Sequence, residues 1–175
     1  YDVFKSVYSD EKFTNESMLK EILHYAEFYH TFLYGNKAYG ENVDSLLKNL
    51  QKLKQTTVFL FLFRVFDDHK AGIIDDKELE KTLRFLLNYS IRRLICEVGS
   101  NSLRGLYKTL YSRVFARPEN KNHYYDAIVS FFQQSTSKDA LPTEEAFTLA
   151  LEQNNLYRKN ALCKFLLAAI ENQGK

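Results

Sequence analysis

Apolar residues recur every three to four positions along most of this chain, the spacing of helices that bury one face. Thr14 or Asn15 can cap a first helix to about residue 33, with Met18, Leu19, Ile22, Leu23, Ala26, Tyr29 and Leu33 as its inward stripe. Gly35 stops it. Gly40 and Glu41 lead into a second helix with Val43, Leu46, Leu47, Leu50 and Leu53 on one side and Asp44, Lys48 and Lys52 on the other. The run VFLFLF at 58–63 is apolar all round, so a third helix over about 57–70 is expected at the centre. A strand competes for so short a Phe-rich run, but Val65 and Phe66 extend it at helical spacing and no partner strand is apparent.

A fourth helix opens on the pair Asp75 and Glu78, spaced as a capping box, and runs to about residue 98. It carries two stripes. Leu79, Leu83, Leu86, Leu87, Ile91, Leu94 and Ile95 form one; Phe85, Tyr89, Arg92 and Cys96 form the other, so both faces should be packed. Gly99 is the expected left-handed stop, and Ser100 or Asn101 the cap of a fifth helix that continues to Pro118. A sixth helix over about 122–134 turns Tyr125, Ile128, Val129 and Phe132 inward. After a polar loop, Pro142 and Thr143 start a seventh that ends near Gln153. The eighth runs from about 155 to 171 on Leu156, Ala161, Leu162, Phe165, Leu166, Ala169 and Ile170. The pattern predicts an all-α, single-domain array of about eight helices over 14–175, with 1–13 a tail or the remnant of an upstream domain.

Composition agrees with that class. Hydrophobic residues make up 45% of 175, with 14 Phe and 12 Tyr, while 6 Gly and 2 Pro are too few for a sandwich or a disordered chain. No apolar run approaches the roughly 20 residues of a membrane span, and no signal peptide is visible, so a cytoplasmic location without membrane association is expected. The first residue is Tyr rather than Met, which suggests a piece of a longer protein. Cys96 and Cys163 lie in apolar helical contexts, which fits buried thiols in a reducing compartment, although a bridge between them stays open. Net charge is +2, unevenly placed: residues 84–121 hold 8 basic and 2 acidic side chains. That excess steers an anion only where the charges share a face.

Candidate chemistry is sparse. DDHKAGIIDDKE at 67–78 imitates a calcium loop in its first, sixth, eighth, ninth and twelfth positions, but His69 and Ala71 stand where the third and fifth oxygens belong. A helix stop at Gly72 followed by the Asp75 cap explains the same letters. His24, His30, His69 and His123 make no metal-binding spacing, and no catalytic, cofactor or metal residue is assigned. Cys96 reads as an inert core thiol rather than a nucleophile. Arg92 shares the stripe of Tyr89 and Cys96, so its guanidinium should reach the interior and clamp helices together; an anion site is the less favoured reading. Arg93, about 100° round the helix, can pair with Glu97. Arg104, Lys108, Arg113 and Arg117, with Tyr107 and Tyr111 between them, are the candidate contacts to a DNA backbone, unless they form a solvated flank with the tyrosines turned inward.

One ordered set of strings goes further. FDD at 66–68, NYSIRRLIC at 88–96, SNSL at 100–103, LPTEEAF at 141–147, LYR at 156–158 and LLAAIEN at 166–172 together resemble the helical region of GmrSD-type modification-dependent restriction proteins. In that family such helices join a ParB-like nucleotide-binding domain to an HNH-type endonuclease domain. The likeness spans roughly residues 58–172, and Glu144 stands where the family usually has Asp. It places Arg92, Arg93, Cys96 and Asn101 in a structural motif. Neither the D-G-Q-Q-R type motif nor the E-H-I-x-P type motif of the flanking domains occurs in this chain, the latter being expected shortly after Asn172. The resemblance implies a non-catalytic module of a bacterial defence protein, without its own cofactor. Its expected partners are the neighbouring nucleotide-binding and nuclease domains, with DNA and a homo-oligomeric copy as further ones. A free-standing helical interaction domain and a calcium-responsive module are the alternatives.

Overall fold

The computed structural model describes residues 15–172, so the expected tail and Thr14 lie outside the described residues. Within them the chain is all-α, with no strand: α1 (Asn15–Tyr34), α2 (Glu41–Lys52), α3 (Phe59–Lys70), α4 (Asp76–Ile95), α5 (Leu103–Val114), α6 (Tyr124–Gln134), α7 (Glu144–Gln153) and α8 (Asn160–Asn172). Short 3-10 turns sit between several of them, among them Lys37–Tyr39, Thr56–Val58, Pro118–His123 and Leu156–Arg158. Helix α3 packs on α5 and α4 on α2 and α6, while α1 lies across α2 and α3. No helix among the described residues is long and apolar enough to cross a membrane.

The core runs along α3 and α4. Phe61, Leu62, Val65 and Phe66 of α3 and Leu79, Leu83, Leu86 and Tyr89 of α4 are fully buried. Leu60, by contrast, is 43% exposed, so α3 is central on three sides rather than all round. Its first turn is also wound more tightly than expected, as the 3-10 turn before Phe59. Gly35 does end α1, at φ 81°; a Cβ there would meet the Asp44 carboxylate at 2.8 Å.

Helix α1 is rotated from its expected face. Phe28, Thr31 and Phe32 are buried, whereas Leu19, Ile22, Leu23 and Tyr29 of the expected inward stripe are half or more exposed. The cause is competition between two apolar faces. The aromatic one wins, because Tyr25, Phe28 and Phe32 meet Phe59, Phe63 and Phe66 of α3 edge-on or tilted at 4.8–5.8 Å between ring centres.

Four helix ends also differ. Asp75 caps α4 by accepting the Glu78 N–H at 2.8 Å, but the Glu78 carboxylate does not return the bond; it accepts the Tyr125 N–H at 2.8 Å, tying α4 to the start of α6. Helix α4 stops at Ile95, and its left-handed residue is Glu97 at φ 56°, not Gly99. Helix α5 begins after Ser102, which makes no capping bond, and Asn101 is exposed in the turn before it. The eighth helix starts at Asn160 rather than 155, because Asn155 folds LYR at 156–158 into a 3-10 turn by accepting the Tyr157 N–H. It buries Leu162, half-buries Phe165, Leu166 and Ala169, and leaves Ala161 and Ile170 exposed. Tyr124, one residue before the expected inward stripe of α6, is 1% exposed.

Candidate functional site

An α-helix leaves its last four carbonyls without intrahelical partners. At the end of α4 these carbonyls gather the C-terminal part of the chain. Val98 N–H closes on the Arg93 carbonyl at 3.0 Å, as the left-handed turn at Glu97 requires. The Leu94 carbonyl accepts the Lys159 ammonium at 2.6 Å, and the Ile95 carbonyl accepts the Asn154 amide at 2.8 Å. Lys159 also pairs with Glu97 at 3.0 Å, and a cation at a helix C-terminus is favoured by the helix dipole. Residues about 60 positions further along thus complete the cap of α4.

The two arginines divide this junction between them, in the opposite sense to the expectation. Arg93 is the buried one, at 2% exposure. Its guanidinium donates to the Tyr89 hydroxyl, the Lys138 carbonyl and the Gly99 carbonyl, and it does not meet Glu97. Gly99 therefore serves as an acceptor for Arg93 rather than as a helix stop. Arg92 is half-buried, its side chain 19% exposed, and it donates to Asn88 Oδ1 at 3.0 Å, to the Pro142 carbonyl at 3.4 Å and to Glu144 Oε2 at 2.6 Å, and covers the Phe147 ring at 4.8 Å. It clamps helices as expected, but α7 to α4 and from outside. The exchange follows from register: both faces of α4 are packed, so apolar stripes alone do not say which of two adjacent arginines points inward.

Cys96 sits beside them, half-buried, its thiol directed at the Ala146 carbonyl at 3.7 Å; burial raises its pKa above the ordinary thiol value. That favours the thiol over the nucleophilic thiolate. Cys96 and Cys163 are both free, which closes the question of a bridge.

Next to the junction a cleft of about 660 Å³ opens between α4, α6 and the segment before α7. Lys81, Arg84, Asn88 and Arg92 line it from one side of α4, Tyr125 and Val129 from α6, and Phe85 joins the lining, 6.3 Å edge-on to Tyr125. Arg84 is held by Glu80 at 2.6–2.8 Å, and that contact, with Asn42, keeps the Glu80 carboxyl below its usual pKa. The spacing of Lys81, Arg84, Asn88 and Arg92 by three and four was the available sequence signal for this face, and it was missed.

The α5 cations are all exposed but divided. Arg104 and Lys108 lie one turn apart on one flank. Arg113 is about 180° round from Arg104, its guanidinium 4.6 Å over the Phe131 ring. Arg117 lies past the helix end. The tyrosines point inward: Tyr107 is buried, and Tyr111 donates to Asp68. These residues do not form one basic-aromatic face.

The calcium-like loop is likewise turned to other ends. Asp67 faces His24 and Tyr25 of α1, with the tyrosine hydroxyl donating at 2.9 Å. Asp68, 4% exposed, accepts from Tyr111 (2.7 Å), Tyr124 (2.9 Å) and Lys121 (2.8 Å), so one buried carboxylate joins α3, α5, the following turn and α6. Asp75 caps α4, and His69 meets Asp76 at 2.7 Å. Among the described residues no three His, Cys, Asp or Glu side chains group as metal ligands do. Comparison with family models, characterised proteins and solved structures finds no match to this chain.

Proposed function

We propose that this chain is the helical connecting module of a bacterial, cytoplasmic modification-dependent restriction protein of the GmrSD type. It couples a nucleotide-binding domain to an endonuclease domain and touches DNA through phosphates rather than bases. One observation carries this reading. The strings behind the resemblance lie far apart in sequence, yet NYSIRRLIC, LPTEEAF and LYR with the lysine after it meet at the end of α4, through Arg92 with Glu144, Cys96 with Ala146 and Leu94 with Lys159. A coupling element needs such a junction, where a shift of one helix is felt by the segment that leads to the next domain. The phosphate contacts fall to Arg104 and Lys108 on α5 and to Lys81 at the cleft, three exposed cations.

The test uses the full-length protein with its flanking domains. Arg92→Ala combined with Lys159→Met should leave nucleotide hydrolysis within about twofold and lower nucleotide-dependent DNA cleavage at least tenfold, by loss of coupling worth about 1–3 kcal/mol. Cleavage that stays at the wild-type level, or a reading frame that encodes neither flanking domain, would refute the proposal. The alternative, a free-standing helical interaction domain, is favoured by the exposed apolar stripe of α1.

A further inference from the structure

Helix α1 is apolar on the side away from the core. Leu19 and Leu23, 59% and 63% exposed, line up with exposed Ala26 and His30 at alternating spacings of four and three, directly opposite the buried Phe28. Ile22 and Tyr29, 57% and 50% exposed, flank this seam on one edge; Lys20 and Glu27 flank it on the other. In an isolated chain so long an apolar stripe calls for a partner.

From this pattern we infer that α1 pairs with the α1 of a second copy of the chain, antiparallel, about a twofold axis level with His24 and Tyr25. In a 3.5-residue repeat that arrangement sets Leu23 against the partner's Ala26 and Leu19 against the partner's His30. The same register sets Ile22 against the partner's Tyr29 on the apolar edge. On the charged edge it sets Lys20 against the partner's Glu27, and by symmetry both pairs occur twice. The small Ala26 near the axis lets the two helices approach closely. A parallel pairing offers none of this: it stacks His30 on His30 and leaves Lys20 and Glu27 without opposite charges. The charge pattern therefore selects both the partner and its direction. Within the monomer Lys20 meets Glu16 at 2.7 Å, and Glu27 lies 3.8 Å from Lys70, both at the exposed surface where such pairs are weak and exchangeable.

Sedimentation velocity on the full 175-residue chain over about 1–100 µM spans micromolar affinities, the range expected for a single helix pair. A concentration-dependent monomer–dimer equilibrium is expected. Leu23→Glu, at an exposed position where folding is untouched, should leave only monomer. Glu27→Lys should weaken the dimer about fivefold, and adding Lys20→Glu should restore it, since the swapped charges again oppose. Far-UV circular dichroism verifies that each variant keeps its helices. A chain that stays monomeric, as it would with another segment or partner on the stripe, overturns the proposal. So does a dimer indifferent to Leu23→Glu, or a double variant that associates no more tightly than Glu27→Lys alone.

Discussion

Asp68→Ala removes a buried carboxylate on which three helices and a turn converge. Asp68 is 4% exposed and Tyr124 1%, so the stranded Tyr124 hydroxyl has no route to water; losing a buried hydrogen-bond partner in this way costs about 1–3 kcal/mol. Lys121, whose side chain is 29% exposed, can turn outward and rehydrate. That places the total at the lower end of the roughly 3–5 kcal/mol seen when one member of a buried ion pair is deleted, about 3 kcal/mol. Asp68→Asn, which keeps the shape but offers an amide to donors, should lose about 2 kcal/mol, and Tyr124→Phe about 1. Urea unfolding followed by circular dichroism at pH 7 measures each value, and the cycle of Asp68→Ala with Lys121→Met should return a coupling of about 1–2 kcal/mol. A cost below about 1 kcal/mol for Asp68→Ala, or a coupling of zero, would show that this carboxylate does not hold the helices together.

Other consequences are open to simple measurements. Arg92→Ala should lower global stability by about 1 kcal/mol or less, while hydrogen exchange in α7 quickens markedly; unchanged exchange in α7 would contradict the clamp. Alkali should destabilise the fold from about pH 10 upward. Burial pushes Tyr89 up to about 12 and raises Tyr107 and Tyr124, so above pH 10 the unfolded chain sheds tyrosine protons that the folded one keeps. The loss from Tyr89 alone reaches about 3 kcal/mol by the time its folded value is passed, and urea midpoints measured from pH 8 to 12 would reveal it. Lys54, exposed and left-handed at φ 57°, should gain about 0.5–1 kcal/mol on replacement by Gly, read as a rise in thermal midpoint.

What the sequence discloses follows from where a pattern has one solution. Helix α2 has a single apolar face, and Val43, Leu46, Leu47, Leu50 and Leu53 are buried as the spacing says. Helix α1 has two, and periodicity cannot rank them; the ring contacts with α3 do, and those depend on tertiary packing. Arg92 and Arg93 changed places for a related reason, since one step of register moves a side chain from a protein contact to the interior. Glu97 took the left-handed position of Gly99 because the cap of α4 is completed by Asn154 and Lys159, which local rules do not see. Asp67 and Asp68 looked like the head of a metal loop only in one dimension; their partners sit over 40 residues away in the chain. The junction itself was half legible: the strings that compose it stand out in the sequence, but not that they touch.

Helix α7 has no buried residue, and its hold on the body includes Arg92 with Glu144, the Cys96 thiol on the Ala146 carbonyl and the Asn154 amide. Mechanically it is a strap, not a wall. Tension applied through α8 would load the hydrogen bonds at the end of α4 together with the buried Leu162 side chain, so polar and apolar contacts share the force. A limited protease would find this stretch first, and the released body, α1 to α6, would keep the buried side chains of its own helices while losing the cover that Leu162 of α8 provides.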